Sequence, residues 1–227
     1  MEIGSAHFWV ASLEIIVINI LLSGDNAVVI ALACRNLPAG QRRWGIFWGA
    51  IGAIVLRIIL TFFAVSLLKL PWLKIVGGIA LVWIGIKLIA QEEEGDGVEV
   101  KASDKLLAAV WTVIVADIVM SIDNVLGVAA AAKGSLPLLV FGLVVSIPLI
   151  IAGAQLVMKA IERYPVLIIA GGGLLGFIAG ELVIDDTSIG PWIDAKAPWL
   201  DWVAPLVGIA LVVGPAKWLE ARRGKTA

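Results

Sequence analysis

Two short segments carry the residue types that could do chemistry in this chain. LLSGDNAVVI, residues 21–30, sets Asp25 beside Asn26 inside an apolar run. DIVMSIDNVLGV, residues 117–128, sets Asp117, Ser121, Asp123 and Asn124 inside another. An ionised carboxylate costs several kcal/mol to bury in a bilayer and is seldom kept there without a partner or a task. The donors on offer are carboxylate oxygen, amide oxygen and hydroxyl. These are hard ligands, suited to Mg²⁺, Ca²⁺ or Mn²⁺ rather than to Cu⁺ or a structural zinc. Three acids near one site (Asp25, Asp117, Asp123) repel one another, and either a divalent cation or protons would relieve the repulsion. That is the requirement of a proton-coupled cation exchanger.

Helical spacing sharpens the pattern. At about 100° per residue, Asp117, Ser121 and Asn124 fall within about 60° of one another, as do Asn19, Ser23 and Asn26. Asp25 and Asp123 point off these stripes by about 100° if the helices are regular. Gly24 would allow a local break that swings Asp25 round, whereas the second segment has Ile122 at that place. Interhelical hydrogen bonding is the alternative use of such residues. It accounts for Asn and Ser but poorly for two or three buried acids.

Further polar residues are candidates for relay or tuning. Arg57, near the middle of an apolar run, is expected to act as a fixed counter-charge to one of the acids. Glu14 follows Asp25 up the same helix face, about 16 Å away, as a relay or as a partner for Arg57. Glu181 sits near a segment end. Met120 could add a softer ligand favouring Mn²⁺ over Ca²⁺, although packing is the ordinary use of such a residue. His7 reads as a solvated terminal residue and Cys34 as small apolar filler.

The elements that must hold these residues are membrane helices. Of the 227 residues 61% are hydrophobic and 15% charged, with a mean hydropathy of +1.03. Soluble domains run nearer half apolar and a quarter charged. Seven apolar spans are predicted at about 9–33, 44–68, 72–90, 106–131, 137–158, 165–184 and 203–220. Many tryptophans fall near their ends, where an amphipathic ring suits the headgroup layer. Arg35, Arg42, Arg43, Lys101, Lys105, Lys159, Arg163 and the Lys217–Lys225 cluster alternate with basic-poor connections. The bias puts the N-terminus outside and the C-terminus inside. No basic n-region precedes Arg35, so a cleaved signal peptide is not expected. The single cysteine forms no internal disulfide, and no basic patch suggests nucleic acid. The acidic connection from Glu181 through Asp185, Asp186, Asp194 and Asp201 reads as a solvated loop, with a cation-attracting mouth as the alternative.

The two chemical segments belong to an internal repeat. Aligned, Ser23, Asp25 and Asn26 fall on Ser121, Asp123 and Asn124, and Asn19 falls on Asp117. PWLKIVGGIALVWIGIK likewise aligns with PVLIIAGGGLLGFIAGE, pairing Gly77-Gly78 with Gly171-Gly172. Three spans per copy reverse the orientation between copies, as in many secondary transporters. The expected organisation is one all-α, polytopic membrane domain over 1–227. It comprises a three-helix repeat at 9–90, a cytoplasmic linker at 91–105, an inverted repeat at 106–184, and an external loop, seventh helix and tail at 185–227.

The SGDNAVVIALA and DIVMSIDNVLGVAAAA segments, with the two-copy layout, resemble the TerC family of integral membrane proteins (tellurium-resistance protein C), its short members above all. The resemblance implies a seven-span fold of the LysE-type transporter superfamily and transport of divalent metal, foremost Mn²⁺ export. Carried over by motif, the implied metal residues are Asp25, Asn26, Asp117, Asp123 and Asn124. It implies no prosthetic group, with Mn²⁺ or another divalent cation as cargo.

The leading reading is therefore a non-enzymatic secondary exporter in the cell membrane, with its site between the repeats near the midplane. A Ca²⁺ exchanger is one alternative. A membrane scaffold or assembly factor with indirect effects on metal homeostasis is another. An intramembrane aspartyl protease also needs two embedded acids, but LSGD lacks the first glycine of a GxGD motif and Ala116 precedes Asp117. The lipid bilayer and the metal ion are the expected partners, with a homo-oligomer left open.

Overall fold

The computed structural model describes residues 9–10, 12–13, 16–17, 24–67, 69–90, 102–131 and 135–223. Described residues are helical apart from short connections. The elements are α1 (Gly24–Cys34), α2 (Ala39–Leu67), α3 (Leu73–Ala90), α4 (Ala102–Ala131), α5 (Leu136–Arg163), α6 (Val166–Ile184), α7 (Gly190–Lys196) and α8 (Leu200–Arg223). Six of them are long and apolar enough to cross a membrane. The first expected span, 9–33, is described only in part, as helical residues at 9–10, 12–13 and 16–17 and as α1.

Several boundaries and one element differ from expectation, α4 starting at Ala102 rather than 106 and α8 running Leu200–Arg223 rather than 203–220. α2 starts at Ala39 rather than 44, because Pro38 opens the helix and its carbonyl accepts from the N–H groups of Gln41 and Arg42. α5 runs on to Arg163, carrying Lys159 on its last turns rather than in a loop. The short α7, with Pro191 in its first turn, occupies the connection that was expected to be plain loop.

All ten tryptophans are at least half exposed, from 50% at Trp48 to 81% at Trp202. A protein folded against water buries most of that aromatic surface. Outward tryptophans on long apolar helices, many of them towards the helix ends, are instead what lipid contact and a headgroup layer require. This is a multi-pass integral membrane protein.

The chain divides into two compact units, each interrupted in sequence. The first is Met1–Leu67 with Leu106–Met158, and the second is Leu68–Lys105 with Lys159–Ala227. In the first, α2 approaches α4 through glycines. A Cβ on Gly52 would stand 2.9 Å from Ile114 Cδ1, and one on Gly49 would stand 3.3 Å from Val113 Cγ1. That close approach carries Arg57, further along α2, towards the inward face of α4. On α1, Ala27 meets the open side of Gly153 on α5.

In the second unit, α6 and α8 touch backbone to backbone. A Cβ on Gly208 would collide with the carbonyl oxygen of Gly176, and one on Gly180 with that of Ala204. α3 and α6 meet through a reciprocal pair of contacts. Gly78 faces Ala179 and Val183, while Gly172 faces Gly85 and Ile89. Each of these residues has its partner in the other helix at the same offset of 94 residues.

Asp186 corrects the expectation of a solvated acidic loop, being only 1% exposed. Its Oδ1 accepts from the Trp72 N–H (3.0 Å), the Ser188 N–H (2.9 Å) and the Ser188 hydroxyl, and its Oδ2 accepts from the Lys74 N–H (3.0 Å). The carboxylate thus caps the start of α3 from outside that helix and holds Trp72 at a φ of 69°. Burial alone would raise its pKa. The bonds from Ser188, Trp72 and Lys74 outweigh that and bring it down to about 2.

Candidate cation site

The first unit contains a polar cluster drawn from three helices. α1 supplies Asn26, α2 supplies Arg57, and α4 supplies Asp117 and Ser121. All four are buried, with exposures of 6%, 1%, 3% and 0%. Asp117 is the hub. Its Oδ1 accepts from Arg57 Nη2 at 2.6 Å and from Asn26 Nδ2 at 2.8 Å. Its Oδ2 accepts from the Ser121 hydroxyl at 3.1 Å, and the Ser121 oxygen in turn accepts from Arg57 Nε at 3.0 Å. The four-residue spacing of Asp117 and Ser121 stacks them on one face of α4, as helix geometry dictates.

The electrostatics follow from burial. Arg57 and Asp117 form an ion pair out of contact with solvent, a geometry that holds only when the remaining lone pairs and protons are served. Ser121 and Asn26 serve them. Asn26 spends its amide N–H on Asp117, and among the described residues its Oδ1, also buried, has no hydrogen-bond partner. Such an orphaned acceptor costs about 1–3 kcal/mol. Asp25, half-buried on the same helix, takes the Asn26 backbone N–H at 2.8 Å and lies within Coulombic reach of both Arg57 and Asp117. The arrangement offers a carboxylate and an unused amide oxygen beside a neutralised ion pair. Those are hard oxygen donors.

The other residues singled out by sequence fall as follows. Met120 is buried on α4 next to Ser121. Asn124 is half-buried one turn beyond. Asp123 lies within α4, which continues as helix through Ile122, but its side chain is outside the described residues. Glu14, Asn19 and Ser23 are outside them too. Glu181 is exposed on α6 and belongs to the second unit. No group of three or more His, Cys, Asp or Glu side chains converges on a metal-sized position among the described residues. The choice of Asp117 over Glu14 as partner of Arg57 was not readable from spacing, since both are acids inside apolar segments of the sequence. The capping role of Asp186 was missed, although Asp-Thr-Ser is a sequence that favours an Asx turn.

The fold and the site define an integral membrane protein with a buried polar cluster in an apolar helical frame. The chain matches the Integral membrane protein TerC family over residues 4–224, and it belongs to that family. It is 41% identical to the uncharacterized membrane protein YjbE of Bacillus subtilis (strain 168), over 91% of this chain and 94% of that one. The uncharacterized membrane protein YceF of the same organism is 30% identical over 73% of this chain and 67% of its own. The UPF0053 inner membrane protein YgdQ of Escherichia coli (strain K12) is 23% identical over 80% and 83%. No solved structure gives a significant match.

Proposed function

We propose that this protein is a secondary transporter that exports a divalent cation, foremost Mn²⁺, in exchange for protons. The observation that carries the reading is the buried Asn26 amide oxygen, which has no hydrogen-bond partner among the described residues, on a side chain that follows Asp25 and donates to Asp117. Interhelical adhesion accounts for a closed network but not for an acceptor kept unused inside it. A cation bridging Asp25 and Asn26 Oδ1 would satisfy it. Two acids within Coulombic reach of each other also favour exchange of metal for protons.

An inverted repeat would supply a route for alternating access. The reciprocal Gly78 and Gly172 contacts, related by a constant offset, support a two-fold relation between α3 and α6. The cluster takes Asn26 and Arg57 from the first copy and Asp117 and Ser121 from the second, so movement between copies would remake it. With the N-terminus outside, cytosolic metal would load at Asp25, Asn26, Asp123 and Asn124, and protons from outside would help expel it. The test is Mn²⁺ efflux from loaded proteoliposomes under an imposed pH gradient, comparing wild type with Asp25→Asn and Asp123→Asn. Loss of efflux in both is expected; unchanged efflux in both sinks the reading.

A further inference from the structure

Asp117 has its acceptor capacity largely taken by the protein itself. Arg57 and Asn26 both donate to Oδ1 and Ser121 to Oδ2, and the donor at the shortest distance is a cation. Arg57 is also anchored for this task. It reaches Asp117 through Nη2 and Ser121 through Nε, while Thr61 bonds its backbone carbonyl at 2.7 Å one turn on. Asn26 meanwhile turns its donor, not its acceptor, towards Asp117. A metal ion held by Asp25 and the Asn26 amide oxygen would gain Asp117 as a further ligand only if the guanidinium withdrew from it, because carboxylate and amide oxygens, not N–H groups, ligate hard cations.

Resting on the transport reading above, we infer that Arg57 is the site's tethered cation. It exchanges with the transported ion at Asp117 and thereby sets how tightly that ion is held. The guanidinium is tethered to α2 beside Asp117, so it competes with every incoming ion. When metal occupies Asp117, Arg57 is a like charge within the cluster and weakens retention. When metal leaves, the same side chain re-pairs with Asp117 and spares the carboxylate a buried, uncompensated charge. Arg57 thus trades affinity for release.

The sign of this effect separates it from a strut. Removing a unit like charge at such range changes the stability of the charged partner by about one to three log units. Arg57→Gln is therefore expected to tighten Mn²⁺ binding by about tenfold or more in purified protein, while lowering the efflux rate at saturating Mn²⁺. Arg57→Lys, which keeps the charge, should stay near wild type in affinity. A merely structural Arg57 would give weaker binding in both variants, and unchanged or weaker binding in a folded Arg57→Gln protein overturns the inference. A measurement on wild type stands in if that variant fails to fold. Phenylglyoxal modification of Arg57, followed by peptide mass spectrometry, should quicken severalfold when Mn²⁺ is added. Protection or no change overturns the exchange. A wild type that binds no divalent cation is a different failure, that of the transport reading itself.

Discussion

Replacing Asp117 is expected to destabilise the first unit out of proportion to the atoms removed. Arg57 is 1% exposed and its Nη2 lies 2.6 Å from Asp117 Oδ1. Deleting the carboxylate leaves a guanidinium buried without its counter-charge, which costs about 3–5 kcal/mol. The Asn26 and Ser121 donors lose their acceptor as well. Asp117→Asn keeps the shape but not the charge and falls in the same range. Adding Arg57→Gln to Asp117→Asn should recover most of the loss, because a buried ion pair and a neutral pair of similar volume differ little in net stability. The double variant is expected within about 1–2 kcal/mol of wild type, a coupling of at least about 2 kcal/mol. Reversible denaturant unfolding of the four proteins in mixed micelles measures it. Additive losses, or a cost below about 1 kcal/mol for Asp117→Asn, would refute the electrostatic account.

Other expectations follow from the second unit and from the orphaned amide. Asp186 titrates near pH 2 in the fold against an ordinary value of 3.8, so its contribution, about 2 kcal/mol, is complete above about pH 4 and is lost as pH falls towards 2. Asp186→Asn should lower stability at neutral pH and flatten the acid limb of an unfolding series; an unchanged acid limb would show that the cap is not electrostatic. Gly208→Ala drives a methyl into the Gly176 carbonyl and should cost about 1–3 kcal/mol. Gly214→Ala on the same helix meets nothing within 4 Å and should be neutral or slightly stabilising in the same thermal unfolding assay. Asn26→Leu removes the unused acceptor together with one bond to Asp117, so it should abolish Mn²⁺ binding at a stability cost of no more than about 1–2 kcal/mol.

What was readable in the sequence follows its periodicities. Long apolar runs bounded by charge and Trp located α3 and α6 to within a residue or two, since bilayer thickness leaves little freedom in span length. The i, i+4 spacing of Asp117 and Ser121 was legible because helix geometry alone sets it. Two kinds of feature were not. Arg57 meets Asp117 because Gly49 and Gly52 let α2 and α4 approach, a tertiary fact that no local pattern encodes. Asp186 looked like any loop acid. Its role depends on the start of α3, more than a hundred residues earlier in the chain, lying where the carboxylate can take its N–H groups. The grouping of α1, α2, α4 and α5 in one unit and of α3, α6 and α8 in the other also cuts across the sequential order of the two repeats expected from the sequence.

The most direct test of the central claim is metal-dependent stabilisation of the purified protein. A ligand held only by the folded state at a hundred times its Kd stabilises it by about 2.7 kcal/mol. Thermal unfolding should shift upward with Mn²⁺, less with Ca²⁺ or Mg²⁺, and the shift should vanish in Asp25→Asn and Asn26→Leu. An Mn²⁺ shift of equal size in wild type and in both variants, or none in wild type, would contradict a cation site at this cluster.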